Sequence, residues 1–257
     1  LGAPFDIYMQ SDLSAPNFPR EQYKLYFMLN SFSLSANDKE AINKIRATKD
    51  DTTWLWFYLP GYVDSERGNK LENIRELTGI NVKKLPGKEV PAATFRSTPH
   101  PLLKNNIAAS SYQMPLMPQV SQPMHPNELA PRLRIVDKDA EILAEFSDGD
   151  GALAIKNFEN WRNVYSVVPY LKRDFLRNLA ENSGVHIYTD ANVVFDADGR
   201  YLVFNNGNER DQELNISLPR RASKISDALT GEILAQNTDN FVLKIEQTST
   251  KIIFTEW

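Results

Sequence analysis

Between Gly184 and Asn206 the sequence, GVHIYTDANVVFDADGRYLVFNN, changes its periodicity, and the change divides the chain in two. Ahead of it, Lys172–Asn182 carries Phe175, Leu176 and Leu179 at helical spacing, with Gly184 as a C-terminal stop. Beyond it come only short apolar runs separated by turn residues such as Asp198-Gly199 and Asn206-Gly207. The boundary falls near residue 190, giving an α/β domain over residues 1–190 and a small all-β domain over 191–257.

In the first part, strands and helices alternate. Phe5–Gln10 and Tyr23–Leu29 (YKLYFML) read as aromatic strands, and Ser35-Ala36-Asn37-Asp38 has the spacing of a capping box. The helix that follows turns Ala41, Ile42 and Ile45 inward. Thr53–Leu59 (TWLWFYL) is apolar throughout, as befits a strand covered on both faces. A second helix is expected after Ser65, with Leu71, Ile74 and Leu77 inward and Gly79 at its end. Parallel neighbours require such crossovers, so the expected fold is α/β, a mainly parallel sheet with helices on both faces.

Residues 86–132 interrupt this rhythm with prolines at 86, 91, 99, 101, 115, 118, 123, 126 and 131. They read as a surface insertion or as an interface arm whose Met114, Met117 and Met124 pack on a partner. Arg134–Val136, Ile142–Phe146 and Leu153–Ile155 read as antiparallel strands. The linker Ser147–Gly151 is a glycine-rich turn rather than a calcium loop, because the remaining ligand positions are missing. In the tail, strands near 193–195, 201–204, 213–218, 232–234, 241–245 and 251–254 suggest a small antiparallel β-sandwich.

With 257 residues, 42% of them hydrophobic, there is ample material for a core. The net charge of −4 gives no electrostatic reason to expect nucleic acid or an anionic membrane as partner. No apolar run approaches the roughly 20 residues of a membrane span. Having no cysteine removes thiol nucleophiles, disulfides and thiolate metal sites. The opening LGAPFDIYMQSDL lacks the pattern of a signal peptide and reads as cut from a longer polypeptide.

No phosphate loop, HExxH helix or GxSxG elbow occurs. His100, His125 and His186 are too scattered for a metal site, and neither metal nor cofactor is expected. His186 reads as a structural histidine within a strand, and Asp190, Asp196 and Asp198 as turn residues. A glycosidase-like carboxylate pair could be drawn from Asp6, Asp12, Asp64 and Glu145. Of these, Asp12 and Asp64 follow expected strands at the carboxyl end of the sheet, where α/β ligand sites form, and Tyr62 shares the loop Pro60–Asp64. Trp161 and Trp257 are the tryptophans outside the buried strand. The candidate ligand-binding residues are therefore Asp12, Tyr62, Asp64 and Trp161, with no catalytic residue assigned.

Three blocks taken together, YKLYFMLNSFSLS with TWLWFYLPGYVD, then SDGDGALAIKNFENWRNVYSVVPYLKRDFLRNLAENSGVHIYTD, then the strand-rich tail, resemble the C-terminal region of bacterial family 42-type β-galactosidases and related large glycosidases. The resemblance implies a flavodoxin-like, class I glutamine-amidotransferase-like trimerisation domain followed by a small β-sandwich. The turn most like the amidotransferase nucleophile elbow is Leu59-Pro60-Gly61-Tyr62, and no cysteine fills it. The resemblance thus implies a domain without amidotransferase activity, a homotrimer, an upstream TIM barrel holding the catalytic carboxylates, and a secreted or periplasmic parent enzyme. A carbohydrate-binding module is the alternative, and a free-standing flavodoxin-like enzyme the third reading.

Overall fold

The computed structural model describes residues 1–114 and 128–257. Its chain forms two compact units, one of Tyr8–Ser183 and one of Leu1–Ile7 with Gly184–Trp257. The first is mixed α/β and the second is all-β.

The α/β unit holds strands β1 (Leu25–Met28), β2 (Thr52–Phe57), β3 (Val82–Leu85), β4 (Ala92–Phe95), β5 (Ser111–Gln113), β6 (Arg132–Ile135), β7 (Glu141–Glu145), β8 (Gly151–Asn157) and β9 (Trp161–Ser166). Its helices are α1 (Ala36–Thr48), α2 (Leu71–Thr78) and α3 (Arg173–Asn182). The strands form one sheet in the order β1-β2-β9-β8-β7-β4-β5, with β6 joined to β8 and β3 to β6. Among these strands, β1–β2 and β2–β9 pair in parallel, and the remaining ladders are antiparallel. The sheet is therefore mixed rather than mainly parallel. Connection length decides this, because Phe158–Asn160 and Phe146–Asp150 are too short for a crossover and can only close hairpins.

The elements follow from local chemistry. Ser35 Oγ accepts the Asp38 amide at 3.2 Å while Asp38 Oδ2 accepts the Ser35 amide at 2.9 Å, a reciprocal capping box that starts α1. Ala41, Ile42 and Ile45 are buried as the periodicity requires. β2, flanked by β1 and β9, has Trp54, Leu55 and Trp56 fully buried. α2 begins at Leu71, later than Ser65, because the Asp64 side chain first holds Glu66 and Arg67 in a turn. It ends at Gly79, whose φ of 71° is left-handed and whose amide donates to the Arg75 carbonyl at 2.7 Å. The proline-rich stretch is not merely a surface loop, since β4 and β5 extend the main sheet. Met114 is half-buried, whereas Met117, Met124 and His125 lie outside the described residues. Ser147–Gly151 is a turn, with the Phe146 amide donating to the Asp150 carbonyl at 2.9 Å.

Two expected strands are not formed. Phe5–Met9 is irregular, followed by a 3-10 turn over Gln10–Ser14, and Phe5, Ile7 and Met9 are exposed. His186 sits in an irregular segment, where its Nε2 lies 2.8 Å from the Ser217 carbonyl.

The all-β unit comprises β10 (Val194–Asp198), β11 (Tyr201–Asn206), β12 (Gln212–Asp227), β13 (Ile233–Ile245) and β14 (Ser249–Glu256). In place of separate sandwich sheets, hydrogen bonding defines one five-stranded antiparallel sheet in the order β10-β11-β14-β12-β13. A register irregularity between Ser217 and Ala222 divides β12 into two halves. The first half pairs with the end of β13, and the second with the start of β13 and with β14. Leu214 and Ile216 from the first half nonetheless share one core with Leu202, Phe204 and Ile253, so the sheet folds over on itself. The N-terminal residues belong here: the Tyr188 amide donates to the Gly2 carbonyl at 2.7 Å. A Cβ on Gly2, at φ 83°, would stand 1.9 Å from the Thr189 carbonyl oxygen.

Candidate functional site

The carboxyl ends of β1 and β2 bring three of the four candidate residues to one end of the sheet. After the two strands, the chain continues as a parallel pair, with Gly61 N–H donating to Ser31 O at 2.8 Å and Val63 N–H to Phe32 O at 2.9 Å. Asp64 accepts Lys39 Nζ at 3.1 Å and the amides of Arg67 and Glu66 at 2.9 and 3.0 Å. The Arg67 amide first, then Lys39, hold its carboxyl down at a pKa of about 2. It is a fixed anion near neutral pH and a poor proton donor.

Tyr62 is half-buried against the core, and its carbonyl accepts Asn73 Nδ2 at 3.3 Å. Asp12 closes its own turn by accepting the Met9 amide at 2.8 Å. That turn is tied to the same end of the sheet by Gln10, whose Nε2 donates to Ser33 O at 3.1 Å and to Asp38 Oδ2 at 2.9 Å. Trp161, by contrast, pairs with Thr52 at the start of β2, so it stands at the opposite end of the parallel strands from Tyr62 and Asp64.

The strained position at this end is Tyr58, immediately after β2, with φ 58° in a bulky non-glycine residue. It precedes the turn over Leu59–Tyr62 to which the sequence assigned the elbow. The geometry is held from three sides. The Tyr58 amide donates to Ser166 O at 2.8 Å, its hydroxyl donates to Pro131 O at 2.9 Å, and its carbonyl accepts the Tyr165 hydroxyl. Burial, then the charge of Glu89 and the proximity of Tyr62, push the phenol up to about 12, so it stays protonated. Sequence reasoning missed Tyr58 because nothing local marks a left-handed tyrosine.

Close by, Glu89 accepts from both Arg132 and Arg134, and Arg134 also bonds Asp148 at 2.9 Å and lies over the Phe146 ring at 3.6 Å. Burial works to raise the Glu89 pKa, but the two guanidiniums outweigh it and leave the carboxyl below its ordinary value. Glu145 is likewise engaged by Arg96. Among the described residues, no group of three histidines or carboxylates is placed to hold a metal ion.

Trp161 is enclosed. Phe158 stacks on it at 3.8 Å with planes 13° apart, and the Arg46 guanidinium carbon lies over its ring at 4.0 Å. Two groups that close to one ring centre cannot share a face, so both faces are covered. Arg46 is buried, sits 5.0 and 5.7 Å from the rings of Trp54 and Trp56, and donates to Leu77 O at 3.0 Å and Asn163 Oδ1 at 3.2 Å. Its Nε has no hydrogen-bond partner. Burial lowers its pKa to about 9, still high enough to keep the charge near neutral pH. Trp257 is also engaged, its indole N–H donating to Gly199 O at 2.8 Å and Arg220 lying over its ring at 4.6 Å.

Neither a family model nor a curated protein matches this sequence. Solved structures do share its fold. It is similar to the β-galactosidase from Bacillus circulans sp. alkalophilus, with a TM-score of 0.58 and 18% identity over 91% of this chain and 33% of that one. The GH42 β-galactosidase Gan42B of G. stearothermophilus gives a TM-score of 0.60 at 15% identity, covering 93% of this chain and 33% of that one. The α-L-fucosidase isoenzyme 2 from Paenibacillus thiaminolyticus gives 0.54 at 12% identity, covering 94% and 42%. The chain thus spans about a third of the β-galactosidases and less than half of the fucosidase, and at these identities the likeness is one of fold.

Proposed function

We propose that this chain is a non-catalytic, assembly-forming region of a larger glycoside hydrolase, C-terminal to a TIM barrel that carries the reaction. In this reading, the α/β unit Tyr8–Ser183 is an amidotransferase-like, flavodoxin-like domain that has lost its nucleophile and helps to form a homotrimer. Its outer surface lines the active site of a neighbouring subunit, and the all-β unit of Leu1–Ile7 with Gly184–Trp257 is an accessory domain.

The observation that carries the reading is the state of the polar groups at the carboxyl end of β2. Asp64 is committed to Lys39 and two amides, Glu89 to two arginines and the Tyr58 hydroxyl to a carbonyl. A hydrolase needs one carboxyl that holds a proton and a second facing it across the sugar. Asp64, with its pKa near 2, does not serve as the acid. The fold shared with about a third of two β-galactosidases agrees with an accessory role.

Light scattering on the purified chain, together with an aryl β-galactoside assay, tests the proposal. The expected result is a three-chain mass with no turnover. A monomer at all concentrations would remove the assembly role, and hydrolysis abolished by Asp12→Asn would remove the non-catalytic one.

A further inference from the structure

His100 takes no part in the candidate site, yet its ring holds a piece of the main chain. It precedes the 3-10 turn Pro101–Leu103, and its Nδ1 accepts the Leu102 amide at 3.1 Å. A backbone amide can only donate, so Nδ1 is bare and the single proton of the ring is on Nε2. That second nitrogen lies 3.8 Å from Glu141 Oε2 on β7, too far for a hydrogen bond but close enough to feel the charge. The two neighbours pull in opposite directions. The Leu102 amide requires a neutral ring, and Glu141 favours a charged one.

The turn that His100 caps is part of the core. Leu102 and Leu103 are buried, and the buried Asn178 of α3 donates to Leu102 O at 3.1 Å and to Lys104 O at 3.0 Å. Leu102 is therefore fastened twice, by its amide to His100 and by its carbonyl to Asn178. Only the first fastening titrates.

Other charged groups on the surrounding elements are engaged elsewhere. Glu181 of α3 pairs with Lys104 at 2.6 Å, and Arg173 and Arg177 of the same helix lie 3.1 and 3.8 Å from Asp174. Glu145 of β7 pairs with Arg96, just after β4. Among the described residues, Glu141 is the carboxylate paired with the ring.

We infer that His100 is a pH-operated latch with two positions. Neutral, it holds the Leu102 amide and fixes the turn against α3. A proton taken from solvent at Nδ1 turns the acceptor into a donor facing another donor, so the bond to Leu102 breaks and the imidazolium turns to Glu141. Imidazoles change charge between pH 5 and 8, which puts the change in a physiological range. One hydrogen bond is exchanged for one exposed ion pair, so the turn is released at little cost to the fold as a whole. The latch lies within the α/β unit and does not depend on the assembly reading.

Hydrogen exchange on the full chain from pH 8 to pH 5, followed amide by amide by NMR and corrected for intrinsic rates, tests the latch. The Leu102 amide should lose protection about fivefold, the worth of one hydrogen bond. The Ser183 amide, bonded to Leu179 O at the end of α3, should keep its protection. His100→Asn supplies a capping oxygen that does not titrate, and should keep Leu102 protected throughout. Glu141→Gln, at an exposed position, should move the release to lower pH. Constant Leu102 protection in the unaltered chain overturns the latch, as does a loss that persists in His100→Asn. A parallel loss at Ser183 overturns it too, because that is acid unfolding rather than local release. Release that Glu141→Gln leaves unmoved removes the second position of the ring, and the two-position latch with it.

Discussion

Two aromatic clusters in this chain have opposite fates. Around Arg46, Trp54, Trp56 and Trp161 are closed in by a guanidinium and by each other, and Tyr26 stacks on Trp54 at 4.2 Å. On the all-β unit, Tyr201 and Phe254 face away from their sheet's core, and Tyr201 is 47% exposed. An aromatic count alone does not separate a sugar platform from a core. Both faces of a ring must be accounted for, and the tryptophan cluster, richer in the residue type most associated with stacking, is the one already occupied.

The comparison breaks most severely at Arg46. Replacing it by alanine empties a buried site and removes the donor to the Leu77 carbonyl, and should destabilise the protein by about 3 kcal/mol in urea unfolding. Arg46→Met keeps the volume and removes the buried charge, so its cost should be only about 1 kcal/mol. If the two variants lose equal stability, the guanidinium is more than a filler between the rings.

A second way to loosen the closed cluster acts from a distance. Gly79 has a left-handed backbone, and a Cβ there would meet Phe158 Cζ at 2.4 Å. Gly79→Ala should cost about 2 kcal/mol from the αL strain and from displacing Phe158 off Trp161. The tryptophan fluorescence should shift red as that face of the indole opens. An unchanged spectrum would mean that Phe158 moves without uncovering the ring.

The sequence showed part of this and hid the rest, for a physical reason. Ser35, Asp38, Ile42 and Ile45 were legible because a capping box and a helical face are local patterns. Phe5–Gln10 has the composition of a strand but lacks one, since a strand exists only where a neighbour offers a ladder. β9 was not anticipated as a separate strand, because its parallel partner β2 comes from a distant part of the chain. The site behaved in the same way. Tyr62 and Asp64 do follow a strand, whereas Asp12 sits in the 3-10 turn Gln10–Ser14 with no strand before it, and nothing near Trp161 in sequence announces that Arg46, from α1, covers it. Nor does anything near Tyr58 signal its left-handed backbone.

A smaller effect concerns pH. The Asp64 carboxyl has a folded pKa of about 2, below the ordinary carboxylate value near 4. Its contribution is therefore fully present above about pH 4 and is lost as pH falls toward 2. Asp64→Asn should lower stability modestly at pH 7 and flatten the pH dependence between 4 and 2. An unaltered acid profile would show that the turn over Asp64–Arg67 stands without the charge.

The smallest expected change is at the open cluster. Tyr201 is exposed, and nothing among the described residues bonds its hydroxyl, so Tyr201→Ala should shift unfolding by no more than about 0.5 kcal/mol. That near-silence gives the variant its value. A ring that belongs to a core cannot be removed without cost to the fold, as at Arg46 and its tryptophans, whereas a ring outside the packing can. Tyr201→Ala at constant stability would show that the open pair, unlike the closed cluster, is not part of the packing. A loss of 2 kcal/mol or more, in the range of buried-residue deletions, would show instead that the ring is part of the packing and erase the distinction.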